Sequence, residues 1–240
     1  MQVLAIGNSF SQDATRYLHG IAKCAGDDIT VVNLYIGGCS LSRHYRNMLS
    51  KKKAYSLEFN GESTGFFIDL DDALLSRDWD YITLQQVSSS SVNYDSYQPY
   101  LEDLSSYVRM CCPKAKIIMH ETWSYEDGSE KLQALGYENR EAMYADIHAA
   151  YDFAAHATAA HSTIPSGALF EKLAKLGFKI HRDTYHATKG IGRYALALLW
   201  YTSLTGKSVS DNTFRDFDEE ISEADISVIK KCVNEVVNGK

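Results

Sequence analysis

A serine near the start of the chain and an aspartate–histidine pair near its end could together form a nucleophilic site. Ser9 follows the apolar segment 4–6 and Gly7, a pattern typical of a buried strand that turns into a helix. Asp183 precedes His186 by three residues. A serine hydroxyl needs a base to accept its proton, and that base needs a third group to orient it. These residue types predict acyl transfer, with Ser9 as nucleophile, His186 as base and Asp183 as its orienting group.

Acyl transfer also requires donors for the negative oxygen of the tetrahedral intermediate. Each preorganised donor commonly lowers the barrier by ~3 kcal/mol. The candidates are the Ser9 N–H, which begins the next helix, the Gly38 N–H after a second strand, and the side-chain amide of Gln86. We favour Gln86, although a shift of one residue along the strand would bring Gln85 to the site instead.

Four further residues are candidates for contact with a substrate. His120 ends a predicted strand and Trp123 follows it, where the alternative roles are a strand-end histidine and a packed tryptophan. The other two candidates are Asn8, next to the nucleophile, and Gln85.

A metal site is the alternative use of the C-terminal histidines. His181, Asp183 and His186 lie within six residues, and two imidazoles with a carboxylate can share one cation. No further group of ligands is evident elsewhere in the sequence, so we expect no metal and no cofactor.

Composition limits the class of protein. The 240 residues are 45% hydrophobic, enough for a sizeable core, and we expect one domain over residues 1–240. The net charge of −7 argues against a nucleic-acid partner. Five cysteines without CxxC spacing favour free thiols. The sequence leaves the oligomeric state open.

Cellular location follows from what precedes the first strand and from the length of the apolar segments. The first strand begins at Gln2, and no apolar segment is long enough for a bilayer span, so we expect no membrane partner and a cytoplasmic location. A secreted or periplasmic protein whose signal peptide had been removed would have the same sequence.

The elements that position these residues alternate between strand and helix. Such alternation predicts an α/β fold with a parallel sheet covered by helices on both faces. Asn60-Gly61 predicts a small hairpin near 54–68, which we expect to form a flap on one side of the cleft. The predicted strands are 3–6, 29–36, 55–59, 63–67, 80–86, 116–120 and a brief one ending at 164, and the predicted helices are 11–24, 41–49, 70–75, 100–110, 140–157, 168–176 and 191–204. Ligands of such sheets bind beyond the carboxyl ends of the strands, where the candidate residues fall.

Four blocks of the chain resemble those of the SGNH (GDSL-like) hydrolases, in the same order. They are the GNSFS segment around Ser9, Gly37-Gly38, the strand end at Gln86, and Asp183-x-x-His186. The chain looks most similar to a bacterial branch with a GNSFS first block. The resemblance implies a flavodoxin-like three-layer α/β/α sandwich and hydrolysis of esters, often acetyl groups on carbohydrates. The chain departs from the family's pattern at two positions. Asn8 gives GNS where the family has GDS, and Gln86 occupies the position of an asparagine.

The leading interpretation is therefore a serine esterase that removes a small acyl group, such as acetyl, from a small-molecule or carbohydrate substrate through an acyl-enzyme. The second is a ligand-binding, for example carbohydrate-binding, protein on the same fold in which the changes at Asn8 and Gln86 have disabled the chemistry. A metal-dependent hydrolase comes third, and chelators would inactivate it.

Overall fold

Seven strands form one mixed sheet in the computed structural model, which describes residues 1–239. In chain order they are β1 (Gln2–Gly7), β2 (Thr30–Tyr35), β3 (Tyr55–Phe59), β4 (Glu62–Ile68), β5 (Tyr81–Leu84), β6 (Lys116–His120) and β7 (Ser162–Ile164). Their order across the sheet is β4-β3-β2-β1-β5-β6-β7. Strands β2, β1, β5, β6 and β7 run parallel, so their carboxyl ends meet at one edge.

Helices flank this sheet. They are α1 (Ser9–Thr15), α2 (Leu18–Cys24), α3 (Leu41–Ser50), α4 (Leu70–Leu75), α5 (Tyr100–Cys111), α6 (Glu130–Ala134), α7 (Arg140–Ala157), α8 (Ser166–Lys175), α9 (Ile191–Thr205) and α10 (Glu223–Val237), with a short 3₁₀ helix at Tyr94–Tyr97. Helices α1, α2 and α10 pack against α9, and α3 and α4 pack against α5. No helix within residues 1–239 is long and apolar enough to cross a membrane.

Strand register brings three separate segments of the chain together. Gly7 of β1 pairs with Tyr35 of β2, and Ile6 pairs with Leu84 of β5. The residues that follow these strands, 8–9, 37–38 and 85–86, therefore start from the same edge of the sheet. This edge is where the candidate residues were expected.

The predicted α/β fold is confirmed, with differences in detail. The predicted helix 11–24 is two helices, α1 and α2, and helices α6 and α10 were missed. Helix α9 is apolar around most of its surface because α1, α2, α8 and α10 all pack against it. The predicted strand 80–86 ends at Leu84, so Gln85 and Gln86 lie beyond it.

The predicted hairpin forms, but it extends the sheet instead of closing over the cleft. Strand β3 pairs antiparallel with both β2 and β4, which makes the sheet mixed where a wholly parallel one was predicted. Asn60 and Gly61 both have positive φ, 51° and 86°, as the turn requires. None of the residues that line the cleft comes from this hairpin, so the expectation of a flap was wrong.

Candidate active site

The three residues predicted to carry the chemistry form one hydrogen-bonded chain. The Oγ of Ser9 lies 2.8 Å from Nε2 of His186. Nδ1 of the same imidazole lies 2.8 Å from Oδ2 of Asp183, whose Oδ1 accepts the His186 N–H at 2.9 Å. Because the carboxylate accepts the Nδ1 proton, Nε2 is free to accept the proton of the Ser9 hydroxyl. Burial raises the pKa of Asp183, but the hydrogen bonds from His186 outweigh it and lower this pKa below its ordinary value.

The turn before Ser9 depends on close packing. A Cβ on Gly7 would lie 2.4 Å from Oγ of Ser11 and 2.7 Å from Oε1 of Gln85, so only glycine fits. Asn8 is the N-cap of α1, and its side chain accepts the N–H of Phe10 at 3.0 Å. Ser9 thus starts the helix with its hydroxyl directed at His186.

The loop that carries the base is held in a strained conformation. Thr184 has φ +74°, which costs a β-branched residue about 1–3 kcal/mol. The Thr184 carbonyl accepts the Glu126 N–H at 2.8 Å, and the Tyr185 carbonyl accepts the indole N–H of Trp123 at 2.7 Å. These bonds fix the backbone between Asp183 and His186.

A buried charged cluster joins this loop to the nucleophile's helix. Asp13 lies four residues after Ser9 on α1 and its side chain is fully buried. Its carboxylate accepts from Nη1 of Arg182 at 2.9 Å, from Nε of Arg193 at 2.8 Å and from the Ala187 N–H at 3.2 Å. Burial raises the pKa of Asp13, and the two guanidiniums oppose that effect. We call Asp13, Arg182 and Arg193 the base anchor.

Sequence reasoning missed the base anchor. A charged residue four positions after Ser9 marks the face of the helix on which the nucleophile lies, but nothing in the sequence pairs it with arginines some 170 residues away.

Two backbone N–H groups are available as oxyanion donors. Neither the Ser9 N–H nor the Gly38 N–H donates a hydrogen bond to another described residue, and both residues line the cleft. Gly38 has φ +59°, in the left-handed region that favours glycine. Residues 37–39 form a short loop between β2 and α3, here called the glycine loop.

The prediction that Gln86 is the third oxyanion donor was wrong. Its Oε1 accepts the N–H of Leu41 at 2.9 Å, and its Nε2 donates to the backbone and hydroxyl oxygens of Ser96 at 3.0 and 3.1 Å. The side chain is buried and does not line the cleft. Because Gln86 lies beyond the end of β5, strand alternation does not direct it into the site.

Three residues predicted to contact substrate are buried behind the site instead. Gln85 donates to Oδ1 of Asn8 at 2.8 Å, and its Oε1 lies 2.8 Å from Nδ1 of His120. Trp123 stacks on Phe10 with ring centroids 3.9 Å apart. Gln85, His120 and Trp123 are each at most 1% exposed, so none can reach a substrate, whereas Asn8 lines the cleft through a 2% exposed surface.

The site opens into a cleft of about 390 Å³ with aromatic walls. Tyr185 packs on the His186 ring with centroids 4.0 Å apart, and the ammonium of Lys131 lies 3.5 Å from the Tyr185 ring centroid. The cleft is lined by Asn8, Ser9, Phe10, Tyr35, Gly37, Gly38, Val87, Ser88, Ser89, Tyr125, Lys131, Tyr185 and His186.

The C-terminal histidines do not converge on a common point. His181 is buried, and its Nε2 lies 3.1 Å from the Ser124 carbonyl, while both nitrogens of His186 contact Asp183 and Ser9. Among residues 1–239, no three His, Cys, Asp or Glu side chains are grouped as metal ligands.

Comparison with known proteins identifies the family. Residues 2–235 match the model of a domain of unknown function, DUF4886. The chain belongs to the DUF4886 family. A crystal structure of a DUF4886 family protein from Bacteroides uniformis is 33% identical and has a TM-score of 0.92, covering 100% of this chain and 95% of that one. No curated protein matches the chain.

More distant structures share the fold of this DUF4886 protein. A protein from Slackia heliotrinireducens, provisionally described as an SGNH hydrolase, is 20% identical, with a TM-score of 0.61 over 85% of this chain and 98% of that one. An acetylxylan esterase from Geobacillus stearothermophilus is 15% identical, with a TM-score of 0.54 over 85% and 91%. The fold, a mostly parallel sheet flanked by helices, matches SGNH hydrolase structures.

Proposed function

We propose that this DUF4886 protein is a serine esterase of the SGNH type that hydrolyses a small acyl ester, with acetyl groups on carbohydrates as the leading substrate class. The observation that carries the proposal is the chain from Ser9 through His186 to Asp183, with both side-chain contacts at 2.8 Å, open to a cleft. A nucleophile, a base and an orienting carboxylate in this order are what acyl transfer requires.

The reaction follows from the hydrogen bonds. The Ser9 oxygen attacks the ester carbonyl carbon while its proton passes to Nε2 of His186, and the N–H groups of Ser9 and Gly38 donate to the oxyanion. When the intermediate collapses, the ester C–O bond breaks and His186 returns the proton to the departing alcohol oxygen. Water then repeats the sequence on the acyl-enzyme and releases the carboxylic acid and free Ser9.

The substrate class is inferred from the cleft and from fold relatives. Tyr35, Tyr125 and Tyr185 line the cleft, and aromatic rings supply flat apolar faces on which a sugar ring can pack. One structure with the same fold is that of an acetylxylan esterase, which supports acetylated sugars as the first substrates to test.

A second candidate, a ligand-binding protein without catalysis, is favoured by one observation. Gln86 is engaged with Leu41 and Ser96, so no side-chain amide from this segment supplements the two backbone donors. A weakened oxyanion site is compatible with binding alone.

Labelling with a fluorophosphonate probe distinguishes the two candidates. We expect an adduct on Ser9, located by peptide mass spectrometry, that is absent in Ser9→Ala and strongly reduced in His186→Ala. Ser9→Ala should lower turnover of aryl and sugar acetates by about 10⁴-fold or more while circular dichroism and the unfolding midpoint stay at wild-type values. No adduct on Ser9, or retained esterase activity in Ser9→Ala, would contradict the esterase proposal.

A further inference from the structure

We propose that Asn8, Gln85 and His120, here called the amide network, are positioning residues that hold the glycine loop so that the Gly38 N–H meets the oxyanion. The inference rests on the esterase function proposed above. It assigns to Asn8 a task that the aspartate of a GDS motif could not perform.

The orientation of the Asn8 amide is determined by the backbone on both sides of it. The Phe10 N–H can only donate, so the group 3.0 Å away must be Oδ1. The Cys39 carbonyl can only accept, so the group 3.0 Å from it must be Nδ2. Asn8 therefore links the cap of the nucleophile's helix to the last residue of the glycine loop.

The orientation of the Asn8 amide also determines those of Gln85 and His120. Since Oδ1 of Asn8 is an acceptor, Gln85 must present Nε2 to it, which leaves Oε1 of Gln85 facing Nδ1 of His120 at 2.8 Å. His120 must then carry its proton on Nδ1. Burial lowers the pKa of this fully buried imidazole to about 3, so it is neutral at physiological pH. Each member of the network thus has one allowed orientation.

An aspartate at position 8 would break one particular link. Its carboxylate could still accept from Phe10 and Gln85, so the helix cap would remain. The other carboxylate oxygen, however, would face the Cys39 carbonyl with no proton between them, and the two acceptors would repel each other. The glycine loop would move away from Ser9. Transition-state stabilisation should therefore suffer more than substrate binding.

The experiment compares Asn8→Asp with Asn139→Asp. Asn139 caps α7 by accepting the Ala142 N–H at 2.9 Å on the surface, so it undergoes the same chemical change with no loop to hold. The readouts are kcat and KM on 4-nitrophenyl acetate, the rate of fluorophosphonate labelling at Ser9, and the thermal unfolding midpoint. We expect Asn8→Asp to lower kcat and the labelling rate by about 100-fold with KM within about threefold of wild type, and Asn139→Asp to behave as wild type.

Two further variants separate positioning from mere folding. Gln85→Met removes both of its hydrogen bonds with little change in shape, and should lower the labelling rate about tenfold. His120→Asn keeps an N–H donor for Oε1 of Gln85 and should retain most of the wild-type rate.

The outcomes are distinguishable from failure of the esterase proposal. If wild type is not labelled at Ser9, the esterase function itself fails. If wild type is labelled but Asn8→Asp keeps kcat and the labelling rate within about twofold, the positioning role is overturned. It is also overturned if both Asn8→Asp and Gln85→Met lose activity only in proportion to the protein that fails to fold.

Discussion

Helix α1, which begins at Ser9, is held by charged groups at Asp13 and by neutral groups at its N-cap, Asn8. The base anchor joins Asp13 of α1 to Arg182 and Arg193 through a buried carboxylate and two guanidiniums. The amide network joins the residue before Ser9 to the glycine loop through amides and a neutral imidazole. The member of each cluster nearest to Ser9 in the chain, Asp13 in one and Asn8 in the other, is buried.

The difference reflects what each cluster must hold. The base anchor connects Asp13 on α1 to the segment 182–193. Its two guanidiniums compensate the charge of one buried carboxylate. In the proposed esterase reaction, the amide network orients a loop next to the oxyanion, where a fixed negative charge would oppose the negative charge that develops. Neutral donors and acceptors orient that loop without adding charge.

Removing the charge from the base anchor should give the largest loss of stability. Asp13→Asn leaves Arg182 without its carboxylate partner, and we expect the free energy of unfolding to fall by about 3 kcal/mol, the low end for a broken buried pair because Arg182 is 25% exposed. Labelling of Ser9 should also slow, because the loop that carries His186 loses its contacts with Asp13. Urea unfolding and labelling rates measure both effects.

The matched control is Asp27→Asn, which removes a partly exposed carboxylate that accepts from Lys207 and Tyr201. It should leave both readouts near wild type. Equal effects of the two substitutions would show that the base anchor has no special role.

The amide network should give a smaller effect that depends on pH. The pKa of His120 is lowered by burial to about 3, against about 6.5 in an unfolded chain. Between these values the unfolded chain binds a proton that the folded protein does not, so stability is lost as the pH falls, by about 1.4 kcal/mol per pH unit. His120→Asn removes this titration and should shrink the stability difference between pH 7 and pH 5 by about 1–2 kcal/mol.

Urea unfolding of wild type and His120→Asn at the two pH values makes this comparison. Two other buried histidines, His44 and His181, with pKa values lowered by burial to about 3 and about 4, remain in both proteins and titrate equally. An unchanged pH dependence in the variant would show that His120 is charged or accessible in the folded protein.

Asp218, which lies nearer the surface than Asp13, should contribute least to stability and activity. Asp218 accepts from Arg16 at 2.7 Å and from Arg193 at 2.6 Å, but it is 24% exposed and solvent screens these pairs. We expect Asp218→Asn to cost less than about 1 kcal/mol and to leave Ser9 labelling unchanged, since Asp13 still holds Arg193. Slower labelling in this variant would show that Asp218 also belongs to the base anchor.

Much of the fold and the centre of the candidate site could be predicted from the chain. The alternation of apolar strands and helical segments determined the α/β class, because each pattern buries its apolar face in one way only. Ser9, His186 and Asp183 were recognisable because a nucleophile, a base and its orienting group must be of these residue types. Gly38 was recognisable because it comes just after the second predicted strand, at the edge of the sheet where ligands bind.

The tertiary structure alone decided the residues behind the site. Gln85 and Gln86 are adjacent and chemically identical, yet one bonds Asn8 and the other bonds Leu41 and Ser96. Asp13 meets Arg193 only after α1 and α9 pack together. Local patterns report the period of an element and the turn that ends it, whereas a hydrogen bond between distant side chains depends on where several elements place them at once. The sequence by itself therefore determined which groups could do chemistry, and packing decided which polar groups hold them in place.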